Sequence, residues 1–304
     1  MDSTENNLLV TVRCLAYNHE PYIRQCLEGF VMQKTNFRFE AIVHDDASTD
    51  RTADIIREYA EKYPDIIKPI FETENQYSKR DGSLTRIMNA YTHGKYVAIC
   101  EGDDYWIDPL KLQKQVDFLE THVEYSMCFH RCTEVFEGFE RKKTFANLKS
   151  GDYTTLDILE NWIVPTASVL YRKEQAPSIL PVGIFFGDSF LFAFLAEKGR
   201  VYCLNDIMSV YRVNSGGVTA NLSSISAIKR SLLHYETMKK VFPGKFDTLF
   251  NGKISLYNFQ LFYRYRKTKF MWKYLFSFLS HPCFIWRTMR YIGTLNCIRN
   301  NSRK

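Results

Sequence analysis

The sequence predicts an α/β protein with a Rossmann-like, mostly parallel sheet flanked by helices, followed by a basic, aromatic helical extension. Between residues 8 and 70, apolar runs of strand length alternate with amphipathic runs of helix length, the pattern of parallel strands joined by right-handed crossovers. Polar clusters close the apolar runs at 17–20, 45–50 and 101–104, at the carboxyl ends of strands, where an open parallel sheet collects its ligands. Charge divides along the chain. From Thr248 to Lys304 there are eleven Lys or Arg and no Asp or Glu, so a formal net charge of +6 leaves residues 1–247 at about −5. At 304 residues, 45% hydrophobic and 15% aromatic, the chain can bury a full core. The expected division is a sheet domain over 1–222, in halves 1–121 and 122–222, and a helical extension over 223–304.

In chain order, residues 8–16 read as a buried strand and 20–32 as a helix, with Pro21 in the first turn, where its missing N–H costs nothing. A second strand at 39–43 leads to His44-Asp45-Asp46. Ser48 or Thr49 caps a helix reaching Lys62, and a third strand at 66–70 follows Pro64. Residues 72–83 form a polar loop over the same edge, 84–91 a helix, and 96–100 a strand that delivers Glu101, Asp103 and Asp104. Asp108-Pro109 opens a helix to about Thr121, and a strand follows at 125–130. The second half is less regular. It reads as a charged connection at 134–151, strands at 167–171 and 200–204, an apolar helix at 185–197, and a loop at 211–220 that contains Gly216-Gly217.

Three carboxylates in four positions at one strand end repel and raise one another's pKa unless a cation sits among them. Oxygen-only donors select Mg2+ or Mn2+, held by one or two carboxylates while phosphate oxygens fill other positions. Taken alone, Asp45-Asp46-x-Ser48-x-Asp50 is also an ordinary helix start, with Asp and Ser capping free amides.

Three segments together are far more specific: VTVRCLAYNHEPYIRQCLEGFVMQ, FEAIVHDDASTDRTADI and GKYVAICEGDDYWIDPLKLQKQVDFLE. They resemble glycosyltransferase family 2, inverting nucleotide-sugar enzymes of GT-A fold, over residues 8 to 120, with weaker echoes to about 220. The resemblance implies that Ala16 and Tyr17 lie near the nucleoside base and that Asp46 meets uracil or ribose. Glu101-Gly102-Asp103 matches the family's Asp-x-Asp, with Glu in the leading place. Asp103 is then the first metal ligand, Asp104 the second, and Glu101 a sugar, ribose or indirect contact. The implied general base lies in Gly187-Asp188-Ser189, where Asp188 takes the proton of the attacking hydroxyl; the alternative is a plain helix N-cap. Residues 211–217 resemble the family's flexible loop. Many relatives carry His near Asn214, so this chain departs from the pattern of a third ligand there. Arg212 either neutralises a diphosphate or forms a structural ion pair, and Lys79, Arg80 and Arg86 either face phosphates or keep a loop soluble. The implied reaction moves a hexose or N-acetylhexosamine from a nucleotide-diphosphate sugar, UDP-linked, to a glycan hydroxyl on a polyprenyl-diphosphate carrier in surface-polysaccharide assembly. Two competitors are a non-catalytic nucleotide-sugar-binding module and a nucleotidyltransferase. The second usually has a Gly-rich phosphate loop, and residues 15–25 contain no Gly.

Residues 261–304 mix Lys and Arg with Trp, Tyr and Phe but hold no run of about twenty apolar residues. Such a segment suits an anionic membrane surface, a helical cap or a nucleic acid. A lipid-linked acceptor favours the membrane, with no nucleic acid partner. Eight cysteines scattered through apolar runs fit a reducing compartment, and the polar, acidic start lacks the features of a signal peptide. The expected location is therefore cytoplasmic, peripheral at the inner face of the cell membrane. Cys128-x-His130-x-Cys132 reads as core packing rather than a metal site.

Overall fold

Strand β1 (Leu8–Ala16) is buried because both its edges are paired in parallel, with β2 (Arg38–Asp45) on one side and β4 (Tyr96–Ile99) on the other. The computed structural model describes residues 8–137, 142–214 and 224–265. Helix α1 (Ile23–Val31) joins β1 to β2, and α2 (Thr52–Lys62) joins β2 to β3 (Ile67–Phe71). The short α3 (Gln76–Lys79) and then α4 (Ser83–Ala90) lead into β4. Covered on both faces, β1 and β2 read as continuous apolar runs. A turn before β4 needs glycine: a Cβ on Gly94 would lie 2.5 Å from the Thr11 backbone nitrogen, while Thr11 Oγ1 accepts the His93 and Gly94 amides.

After β4 come β5 (Tyr105–Trp106), α5 (Lys111–Thr121), β6 (Tyr125–Phe136), β7 (Lys142–Thr144), β8 (Gly151–Tyr153), α6 (Thr155–Glu160), β9 (Leu170–Arg172), α7 (Gly187–Ala196) and β10 (Arg200–Val213). Among the described residues the strands form one sheet in the order β3-β2-β1-β4-β9-β6-β10-β5, with β7 added to β6 and β8 to β10. It is parallel from β3 to β4 and again between β6 and β10, while β9 runs against both its neighbours. Buried Arg172 secures that reversal. Its guanidinium donates to the carbonyls of Tyr125 (2.8 Å) and Leu119 (2.6 Å) and to the Tyr96 hydroxyl (3.1 Å). Beneath β5, Trp106 donates to the Ala167 carbonyl, and fully buried Lys111 stacks 4.1 Å from its ring centroid and donates to Gln115. Burial pulls the Lys111 pKa down to about 7.

Several elements differ from the sequence reading, each for a local reason. Strands β6 and β10 run on to 136 and 213 because they pair with each other along most of their length, so the expected loop at 211 begins as strand. Helix α2 starts at Thr52, not beside Ser48 or Thr49. Those hydroxyls bond Asn18 across the loop, and Asp50 Oδ1 accepts the Thr52 amide instead. The charged connection at 134–151 contains β7 and a 3-10 turn at Phe145–Asn147, and β8 opens at its end. Cys128, His130 and Cys132 are all fully buried in the core.

The chain forms two compact units, Met1–Leu180 with Leu191–Ser215, and Pro181–Phe190 with Gly216–Lys304. In the second, α8 (Ile225–Val241) packs on α9 (Asp247–Tyr265) through Ile228, Leu232 and Leu261. The segment before α7 is held to α8: the Phe185 amide donates to His234 Nδ1, and Arg230 lies over the Phe185 ring. No helix among the described residues is long and apolar enough to cross a membrane. Residues 266–304, most of the basic aromatic tail, lie outside the described residues.

Candidate active site

Three strand ends are stapled side by side. The Ala16 carbonyl accepts the Asp46 amide (2.9 Å), and the Leu15 carbonyl accepts the Gly102 amide (2.9 Å), so the turns after β1, β2 and β4 share one edge. The first two turns interlock further. Ser48 Oγ accepts the Asn18 amide, Asn18 Oδ1 accepts the Thr49 amide, and Thr52 Oγ1 accepts the His19 amide. Asp50 accepts the amides of Glu20 and Thr52, and Glu20 accepts that of Arg51. Burial pushes the Asp50 pKa up, but its bonds to the Thr52 side chain and the Thr52 and Glu20 amides outweigh it and hold the carboxyl below its ordinary value.

Ala16 ends β1 in the core, and Tyr17 is exposed beside it. Asp46 is only 4% exposed and accepts the first two amides of α3, Oδ1 that of Gln76 (2.6 Å) and Oδ2 that of Tyr77 (3.0 Å), while Asn75 is the N-cap. Each oxygen keeps a second lone pair for another donor. Lys79 and Arg86 pair with their own loop's Glu74 and Asp81 on the surface.

The turn after β4 is built differently. Asp104 is 1% exposed; Oδ1 accepts the Arg212 amide (2.8 Å), while Oδ2 is buried with no partner. Burial first, then the charge of Asp103, drives its pKa well above the ordinary carboxylate value. Asp103 Oδ2 accepts Asn214 Nδ2 (2.9 Å), and its carbonyl accepts the Arg212 guanidinium. Arg212 also donates to Gln25 Oε1 and lies over the rings of Tyr105 and Tyr22. Glu101 turns the chain, its carbonyl accepting the Asp104 amide (3.0 Å). Gly102 is required: a Cβ there would meet His19 Nδ1 at 2.7 Å. Strand β10 and the residue after it thus join the site through Arg212 and Asn214, which the sequence places more than a hundred residues away.

His19, Tyr22, Gln25 and Tyr105 border the acid turn, and the sequence reading gave none of them an individual role. His19 is part-buried with Nδ1 unpartnered. Burial lowers its pKa more than Asp103 and Asp50 raise it, so the ring stays neutral near pH 7. Its position in Tyr-Asn-His-Glu after a strand was the available signal.

The residues fit a divalent cation in one respect: a buried, unpartnered carboxylate oxygen beside a second acid. A three-ligand cluster of His, Cys, Asp or Glu is absent among the described residues, so other oxygens must complete the shell. Asp188 lies in the first turn of α7, one residue inside it, with Oδ1 accepting the Ser189 amide (2.8 Å). It belongs to the second unit.

The fold is of GT-A type, and comparison with known proteins agrees. Residues 12–176 match glycosyl transferase family 2, and the chain belongs to that family. It is 37% identical over 210 residues to an uncharacterized protein of Mycobacterium tuberculosis, covering 69% of this chain but 60% of that protein's length. It is 27% identical over 217 residues, 70% of this chain and 80% of the relative, to the Escherichia coli UDP-Glc:alpha-D-GlcNAc-diphosphoundecaprenol beta-1,3-glucosyltransferase WfaP. Among solved structures, Staphylococcus aureus TarS 1-349 in complex with UDP-GlcNAc superimposes with TM-score 0.59 at 19% identity, over 84% of this chain and 73% of that one. The Pyrobaculum calidifontis mannosyltransferase PcManGT, with GDP-Man and Mn2+, gives 0.55 at 18%, over 97% and 82%. These two likenesses establish the fold.

Proposed function

We propose that this protein transfers a hexose or N-acetylhexosamine, with inversion, from a UDP-linked sugar to a hydroxyl of a lipid-linked glycan in surface-polysaccharide biosynthesis. The observation that carries the reading is the buried, unpartnered Asp104 Oδ2 beside Asp103, a pair of like charges with no neutralising side chain on that oxygen. Asp103 and Asp104 are the residues that would hold Mn2+ or Mg2+. The ion, when bound, supplies Lewis-acid stabilisation of the departing diphosphate. Ala16, Tyr17 and Asp46 receive the nucleoside, and Asp46 orders the 75–77 turn beside it through the Gln76 and Tyr77 amides. Glu101 contacts ribose or sugar. Arg212, already fixed to the acid turn, adds positive charge near the diphosphate.

Asp188 is the general base, taking the acceptor hydroxyl's proton as its oxygen attacks C1 and the nucleoside diphosphate leaves from the opposite face. Its place in the first turn sets the carboxylate at the positive end of the α7 dipole. The WfaP likeness supports a UDP-sugar donor and a polyprenyl-diphosphate acceptor, and the basic aromatic tail supports peripheral attachment to an anionic inner membrane face. The test is a panel of UDP-sugars incubated with Mn2+ and polyprenyl-diphosphate glycans, read as UDP release and product mass. Acceptor-dependent UDP release from one donor is expected; its absence with every donor overturns the reading.

A further inference from the structure

Three aromatic rings meet in mutually perpendicular contact at the far end of the sheet from β1. Trp162, in the loop after α6, lies 5.0 Å from Phe145 at 78° and 5.2 Å from Tyr211 at 77°; Phe145 and Tyr211 lie 5.4 Å apart at 75°. Phe145 is buried and Tyr211 packs on the same core cluster, which fixes the pair. Trp162 remains 42% exposed, and its indole N–H makes no hydrogen bond among the described residues. A large indole held rigidly by two edge-on rings yet open to water is not explained by core packing, since a smaller apolar residue would seal that edge without leaving so much ring surface in solvent.

Its place in the sheet says what it would meet. Tyr211 directly precedes Arg212, whose amide holds Asp104, and stands three residues, roughly 10 Å of strand, before Asn214, which holds Asp103. Tyr211 and the segments that carry Phe145 and Trp162 are distinct from the β1 and β2 ends that carry Ala16 and Asp46, and they adjoin the acid turn through Arg212. A sugar ring presents a face of C–H groups made electropositive by neighbouring oxygens, which matches the negative face of an indole, and its hydroxyls suit the free N–H.

We propose that Trp162, buttressed by Phe145 and Tyr211, is a stacking platform for a sugar ring of the glycan acceptor. This rests on the transferase reading for the word acceptor, but the platform's affinity for a sugar ring does not. The three rings come from elements other than the β1 and β2 turns assigned to the nucleoside, so occupancy there would orient the acceptor and leave those turns free for the donor.

The test uses the full-length protein and a mixture of methyl glycosides of glucose, galactose, mannose and N-acetylglucosamine. Saturation-transfer NMR is expected to show protein signal reaching the C–H face of at least one glycoside. Trp162→Phe keeps that transfer, whereas Trp162→Leu, which preserves apolar bulk without a π-face, weakens it about tenfold and leaves UDP binding unchanged. Should the leucine variant unfold, fluorine NMR of 5-fluorotryptophan protein decides, the Trp162 signal being assigned with Trp162→Phe; glycoside is expected to shift it. Equal transfer in wild type and the leucine variant, no transfer in wild type, or an unmoved Trp162 signal overturns the inference. No readout needs a donor or turnover. Failure here therefore leaves the transferase reading standing, and glycoside binding without UDP release from any donor fails that reading alone.

Discussion

The two turns at the β1 and β2 ends and the acid turn after β4 share one sheet edge but are built on opposite lines. In the first pair the polar groups largely bond each other: Asn18, Ser48, Thr49, Asp50 and Thr52 interlock, and Asp50 is held ionised by donated hydrogen bonds. In the acid turn the charges are alike and one buried oxygen has no donor. On the proposed function, the difference marks where a cation would be needed. A satisfied network sets geometry before anything binds, whereas a crowded, unsatisfied pair is relieved when a proton or a cation arrives.

The largest effects should fall on the acid turn. Asp103→Asn or Asp104→Asn is expected to lower transfer by about a thousandfold or more, because the charge on the departing diphosphate loses its stabilisation. In metal-free buffer Asp104→Asn should raise the thermal midpoint by about 2 °C or more, since an amide removes the repulsion from Asp103. A fall in midpoint would mean that the turn is already satisfied. Asp188→Asn should cost roughly 100-fold or more in turnover while UDP binding, measured by calorimetry, stays unchanged; undiminished turnover removes Asp188 from the mechanism.

Below the sheet edge, Lys111 gives a pH signature. Its folded pKa near 7 lies below the unfolded value of about 10.4, so the unfolded chain binds more protons between those limits and stability rises with pH across that window. Lys111→Met should therefore gain on the order of 3 kcal/mol below pH 7, after the lost bond to Gln115, and that gain should vanish by about pH 10 in denaturant titrations. The smallest effect belongs to the interlocked turns. Thr52→Val, which deprives the His19 amide of its acceptor, should cost about 1 kcal/mol of stability and leave transfer within a few-fold of wild type. A collapse of transfer instead would show that the network takes part in the chemistry.

The alternation of apolar runs made the parallel half of the sheet legible, and the carboxylates at 101–104 marked the strand end where Asp103 and Asp104 meet Asn214 and Arg212. Helix starts were misread because hydroxyls have more than one use: Ser48 and Thr49 look like caps by spacing but bond Asn18 in another turn. The reach of β10 to Asp103 and Asp104 was not legible in local pattern; only the family resemblance set Arg212 and Asn214 near the site. It depends on pairing between β6 and β10, whose partners are some 75 residues apart, and no local pattern in residues 205–213 announces it. The Phe145, Trp162 and Tyr211 trio escaped for the same reason, being drawn from three separate segments.

The central claim is that Asp103 and Asp104 grip a cation together with a nucleoside diphosphate. Calorimetric titration of UDP into the protein, with and without Mn2+ and repeated on Asp104→Asn, tests it most directly. The account predicts at least about tenfold tighter UDP binding with Mn2+ in the wild type and no such gain in the variant. Equal UDP affinity with and without Mn2+ in the wild type would contradict it.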